Sequence, residues 1–192
     1  MLLHIRLILL SSLLVFLYSS AFASEHIVFY AIGEKKVSEF NMLKRYFEKK
    51  RFKVSMFNMT NDIEEHLNNI NRINSLKANM FIAFNFDFVD NEGCFIAIFT
   101  PSVNPGRFNT IEEVPGVHGA DSRILAGSIA SFFNVRVKEL PLFPLIGVDM
   151  PGVFVNIQTQ KDKINIVFEK LYSGIENYLK KGKQDERQGK AK

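Results

Sequence analysis

The chain has 192 residues, 47 % of them hydrophobic, with 19 Phe, no Trp, one Cys and a formal charge of +4 at pH 7. That length suffices for one domain with its own core, and a single cysteine excludes an internal disulfide framework. Between Lys180 and Lys192 six Lys or Arg (180, 181, 183, 187, 190 and 192) face only Asp185 and Glu186, so the excess charge belongs to a tail, the body is near neutral, and nucleic acid is not an expected partner.

Met1 to Arg6 is a short segment with one firm positive charge, and Leu7 to Tyr18 is apolar apart from Ser11 and Ser12. Ala21-Phe22-Ala23 is a small-x-small site. Together these read as a secretory signal peptide over 1–23, cleaved before Ser24, because the apolar run falls short of the roughly 18 residues a spanning helix needs. The protein is therefore expected outside the cytoplasm, in an oxidising compartment where its one thiol, Cys94, finds no internal partner. Cys94 sits in an apolar run and reads as a small buried residue.

The body alternates strand-like and helix-like segments. His26 to Ala31 is β-branched and aromatic, as strands are. Lys36 to Lys50 places Val37, Phe40, Leu43 and Phe47 at helical spacing. Phe52 to Phe57 alternates as a strand does, and Thr60 or Asn61 is the expected cap of a helix carrying Ile63, Leu67, Ile70 and Ile73 on one face. Met80 to Phe84 is continuously apolar, which predicts a strand buried on both faces. A turn at 90–93 leads to a strand over Cys94 to Phe99, expected beside it. Thr100 to Val117, rich in Pro, Gly and Asn, predicts a long surface loop. Asp121 is the expected cap of a third helix with Leu125, Ile129 and Phe132 inward. Short apolar runs follow at 143–148 and 153–157, then a helix over 161–181 with Ile164, Val167, Leu171, Ile175 and Leu179 inward. Residues 182–192 are expected to be a disordered basic tail. The order predicts a single α/β domain over 24–181, a mostly parallel, mixed sheet with helices on both faces. Sites in such sheets form at the carboxyl ends of the strands.

Four segments carry a resemblance. Gly33-Glu34-Lys35-Lys36-Val37 opens the first helix, Ala78-Asn79-Met80-Phe81-Ile82-Ala83-Phe84-Asn85 forms the third strand, and Asp121 to Ala126 begins the third helix. Gly147 to Ile157 contains Met150-Pro151-Gly152-Val153-Phe154-Val155-Asn156-Ile157. In order and spacing they resemble the zinc-dependent N-acetylmuramoyl-L-alanine amidases, which cut bacterial peptidoglycan. The resemblance implies that family's α/β fold, a place in the periplasm or extracytoplasmic envelope, and peptidoglycan or an envelope protein as partner. It implies zinc held by two His and one Glu, with a second Glu as general base on the metal-bound water.

Carried over position by position, the ligand Glu falls on Glu34, the second His on Asn85 and the base on Asn156. The glycine-rich loop bearing the first His is missing. An amide side chain has no site basic enough to take a proton and is a poor zinc ligand. The expectation is thus a protein with no catalytic residues, no zinc and no other cofactor, in which Glu34, Asn85 and Asn156 serve binding. The alternatives are an active amidase with a diverged site and a structural partner in an envelope complex. Elsewhere, His26 and His66 read as surface histidines. His118 with Glu34 or Asp87 is a minor metal candidate. Asp87, Asp90 and Glu92 read as a polar turn more than a calcium site. Ser122 and Ser173 lack an activating His. Membrane contact is expected only weakly, through the basic tail.

Overall fold

The computed structural model describes residues 24–33, 37–100 and 114–189, with 183–189 as backbone only. Residues 1–23, the segment read as a signal peptide, Glu34 and loop residues 101–113 lie outside the described residues. Six strands form one mixed sheet: β1 His26–Ile32, β2 Lys53–Asn58, β3 Met80–Phe88, β4 Gly93–Phe99, β5 Val137–Leu140 and β6 Gly152–Thr159. The helices are α1 Val37–Lys49, α2 Ile63–Ser75, α3 Gly119–Phe133 and α4 Ile164–Gly189, with a single helical turn at Val114–Val117.

The spatial order is β2-β1-β3-β6-β4-β5. β2, β1, β3 and β6 run parallel, β4 is antiparallel to β6, and β5 is parallel to β4. β4 therefore does not lie beside β3 as expected. The tight turn after β3 sends the chain past one strand position, and β6, the last strand in sequence, fills the gap. The mixed α/β architecture is the one the element order predicts.

Alternation along the strands divides the interior in two. Ile27, Phe29, Ile82, Phe84, Val153 and Val155 point to one face, where they pack on Leu43 and Phe47 of α1, Leu125 and Ile129 of α3, and Val167, Phe168, Leu171 and Ile175 of α4. Val28, Tyr30, Phe81 and Ala83 point to the other, against Ile70 and Ile73 of α2 and Leu145, Val148 and Met150. Each fully buried side chain of this size contributes about 1.5–3 kcal/mol. A Phe-rich core of this kind stabilises the chain without a disulfide.

Several local expectations shift. The cap of α2 is Asp62, whose side chain accepts from the Glu65 amide at 2.8 Å. Thr60, one of the two expected caps, instead accepts from the Asp62 amide and donates to the Glu65 carboxylate. α3 starts at Gly119, so Asp121 lies in its first turn, where its charge still favours the helix dipole. Phe132 is 41 % exposed, and Ala126 and Ala130 share the inward face instead. The 143–148 run forms a 3-10 turn over Phe143–Leu145 rather than a strand, since Pro144 cannot donate to a ladder. β5, with three of its four side chains exposed, carries no burial pattern to read. α4 continues past the expected end, and backbone over 182–189 is helical.

α3 and α4 cross closely at Gly174, where an added Cβ would lie 2.6 Å from the Ile129 Cα, a backbone atom that cannot swing aside. Helix propensity alone favours Ala there by about 1 kcal/mol, but overpacking costs about 1–3 kcal/mol and a backbone clash sits at or beyond the upper end. Gly174→Ala is expected to lose about 2 kcal/mol net, read as a lower urea midpoint at an unchanged slope.

Candidate functional site

At the carboxyl ends of β3 and β6, Asn85 and Asn156 are register partners. With a side-chain period of two, they follow Phe81, Ala83 and Phe154 on the α2 face of the sheet. The Asn85 Nδ2 donates to the Asn156 Oδ1 at 2.9 Å and to the Asp87 Oδ2 at 3.1 Å. Both amide hydrogens of Asn85 are thereby used, and the three side chains form one polar row.

β1 ends beside this row. Ile32 is the register partner of Asn85, and Gly33 follows with φ +92°. A Cβ on Gly33 would lie 3.1 Å from the Asn85 Oδ1, so glycine both permits the turn and leaves room for the amide. Glu34, the next residue, is outside the described part. On the other side Phe95 of β4 is the register partner of Asn156 and meets Phe154 edge-on, ring centroids 5.9 Å apart. The Lys138 ammonium lies 5.0 Å from the Phe95 ring centroid. The half-buried surface so formed offers amides, one carboxylate and aromatic edges.

The described donors here do not fit zinc. Asn85 presents hydrogens through its nitrogen, and of the three described histidines His66, in the first turns of α2, is engaged with the Tyr30 hydroxyl while the other two lie at the opposite end of the sheet. His26 begins β1 at the far end and is buried, its Nε2 2.9 Å from the Ser55 Oγ. His118 pairs with Asp149 at 3.1 Å, ahead of the amino end of β6. It is therefore separated from Asp87, whose partner Gln158 is near the other end of β6, by the length of that strand. Among the described residues no group of three or more His, Cys, Asp or Glu is placed to hold a metal.

His66, expected at the surface, is wholly buried. Its Nδ1 lies 2.9 Å from the Tyr30 hydroxyl, and its ring packs 4.4 Å from the Phe143 ring. Nε2 faces only the Ile146 backbone, short of hydrogen-bond geometry. The neighbours Glu64, Glu65, Asn68 and Asn69 made the position look polar, but His66 lies one turn before Ile70 on the inward stripe of α2. That i, i+4 spacing was the signal to read.

The remaining candidates have structural roles. Glu92 is bound by Lys163 at 2.5 Å, which holds its carboxyl below the usual range, and the Asp90 carbonyl accepts from Gln160. The 87–92 cluster is thus a pinned turn. The buried Ser122 hydroxyl accepts from the Gly152 amide at 2.9 Å, fixing α3 to the start of β6. Burial pushes the Cys94 thiol up to about 12, which leaves it unreactive. Thr100, before the loop, is bonded to Leu140 at the amino end of the parallel strands, and His118, just after it, pairs with Asp149 at the same end. Both anchors of the loop lie away from the Asn85–Asn156 row.

Two outcomes follow from this geometry. In a double-mutant cycle, Asn85→Ala and Asn156→Ala should couple by about 0.5–1 kcal/mol, as expected for one half-buried neutral hydrogen bond. Burial, offset in part by the Ile146 backbone, lowers the pKa of His66; burial and then Lys53 lower that of His26. In both cases the unfolded chain binds the proton more tightly. Stability is then full above the ordinary value near 6.5 and is lost as pH falls below it. The urea midpoint should fall between pH 7 and pH 5, and His66→Gln should flatten that dependence, leaving the smaller part due to His26.

No protein-family model and no curated protein matches the sequence. Solved structures do. The catalytic domain of the CD27L endolysin targeting Clostridia difficile superposes with a TM-score of 0.53 at 14 % identity, covering 79 % of this chain and 97 % of that one. The apo form of the N-acetylmuramyl-L-alanine amidase Ami1 from Mycobacterium abscessus gives 0.53 at 12 % identity, over 82 % of this chain and all (100 %) of the other. Ami1 from Mycobacterium smegmatis gives 0.53 at 10 %, over 82 % and 98 %. At such identities the likeness is one of fold, and the chain shares the fold of this endolysin domain and of the two N-acetylmuramyl-L-alanine amidases.

Proposed function

We propose that this chain is an exported, amidase-like protein that binds or regulates at the bacterial cell wall without cutting it. The carrying observation is the Asn85–Asn156 hydrogen bond at the carboxyl ends of β3 and β6. The resemblance assigns those two positions to a zinc-ligating His and to the general base. A neutral amide pair that satisfies itself can neither hold a metal-bound water nor take its proton. It can exchange hydrogen bonds with the amides and hydroxyls of a peptide or glycan, beside the aromatic edges of Phe95 and Phe154.

Glu34 completes the binding set in this reading, following Gly33 at the end of β1. The zinc of the resembled family has no part in the proposed task, since its two histidines and its base have no counterparts in the sequence.

The test is a pulldown on peptidoglycan sacculi with an assay for released muropeptides, each with and without added zinc. The chain should sediment with sacculi and release nothing, and Asn85→Ala should weaken sedimentation about tenfold, the worth of roughly one lost charge-free hydrogen bond. Asn156→Glu alone should stay inactive. Released peptides with stoichiometric zinc would overturn the reading in favour of an active amidase, and absence of sedimentation would point to a structural partner in an envelope complex.

A further inference from the structure

The near-neutral body carries a local cluster of exposed cations. From Lys44 to Lys53 the chain carries six Lys or Arg against Glu48 alone. Arg45, Lys49, Lys50, Arg51 and Lys53 are all exposed. These residues close α1 and open β2, so they gather where the parallel strands begin. α4 brings Lys180 to the same end: Lys50 lies 4.7 Å from the Tyr172 ring centroid, and Tyr172 and Lys180 both donate to Glu176. The acidic residues Asp62, Glu64 and Glu65 of α2 and its cap, and Asp87, Asp90 and Glu92, lie at the opposite end, where the Asn85–Asn156 row is.

The described chain starts in this basic cluster. The Ser24 hydroxyl donates to the Arg51 carbonyl at 2.8 Å, the Lys53 amide donates to the Glu25 carbonyl at 2.9 Å, and His26 is the register partner of Lys53. In sequence the apolar run ends at Tyr18, six residues before Ser24. Six residues span at most about 20 Å. While that run is attached and lies in a bilayer, the basic end is held within reach of its headgroups. Next to the cations stand Met42, apolar and 43 % exposed, and the Tyr46 ring, an amphipathic side chain suited to a lipid–water boundary.

We infer that the basic end of the body, centred on Arg45, Lys49, Lys50, Arg51 and Lys53, docks on an anionic phospholipid surface. Attraction to anionic headgroups acts within a screening length of the membrane and needs no pocket. Docked in this way, the molecule turns the Asn85–Asn156 end away from the bilayer. The docking surface belongs to the folded body and is separate from the basic tail.

The experiment is vesicle flotation of the full chain with phosphatidylcholine alone and with about 30 % phosphatidylglycerol added, an anionic fraction that gives a strongly negative surface. At least about tenfold more protein should float with the anionic vesicles, and about 0.5 M salt should erase the difference. Arg45→Glu with Lys49→Glu should erase it too, whereas Lys161→Glu with Lys170→Glu, the same change in net charge placed elsewhere, should retain it. Circular dichroism melting checks that both variants fold, and the salt series needs no variant. Equal flotation with both vesicle types, or equal loss in the two double variants, would overturn the inference. So would capture by inorganic polyphosphate without any anionic-vesicle preference, which would reassign the surface to a soluble anionic polymer. Sacculus sedimentation by the Arg45→Glu, Lys49→Glu chain should match the unaltered chain, so a failure here is distinguishable from a failure of wall binding.

Discussion

The pairing of β3 with β6 is the constraint on which the rest depends. Eight register pairs, from Phe81 with Gly152 to Phe88 with Thr159, join two strands separated by more than sixty residues of chain. Parallel strands need a long crossover, and the intervening chain supplies β4, α3 and β5. Strand alternation then assigns Ile82, Phe84, Val153 and Val155 to one core and Phe81 and Ala83 to the other. The same ladder, continued two residues further, sets Asn85 against Asn156. Core and site are consecutive stretches of one hydrogen-bonded pair, so a slip of register would move the site and repack both cores at once.

Features marked by strong periodicity or continuous apolar character were legible from the residues. α1, α2, the inner part of α4 and the buried centre of β3 show it, whereas the adjacency of Asn85 and Asn156 came only with the sheet order. Less was legible where tertiary context overrides local pattern. β5 is four residues long with an exposed surface, and no alternation marks it. β4 sits beyond β6 because of a long-range pairing that local signals do not contain. His66 looked solvated because its sequence neighbours are polar, although a helix buries neighbours three and four apart together. His26 is buried because the Ser55 hydroxyl, from a strand that is adjacent only in the folded sheet, meets its ring.

The charge distribution makes a related point about reading a sequence by totals. A net value near zero for the body is arithmetically correct, yet it hides the cluster of cations between Lys44 and Lys53. Part of the clustering arises from the topology: α1 and α2 return antiparallel to the strands, and each carries an acidic first turn and a basic last turn, Glu39 and Lys49 in α1, Glu64 with Glu65 and Arg72 in α2. That arrangement suits each of these two helix dipoles; α3, with Asp121 first and no basic last turn, and α4, with no acidic first turn, do not repeat it.

Cys94 has a consequence for the chain's chemistry over time. A thiol held protonated by its surroundings is a slow partner in disulfide exchange and a slow target for oxidants, which attack the thiolate. In oxidising surroundings most exposed single cysteines end as mixed disulfides or covalent dimers. This one, half-buried beside Ile157 and Val167 and held as the neutral thiol, enters such exchange slowly.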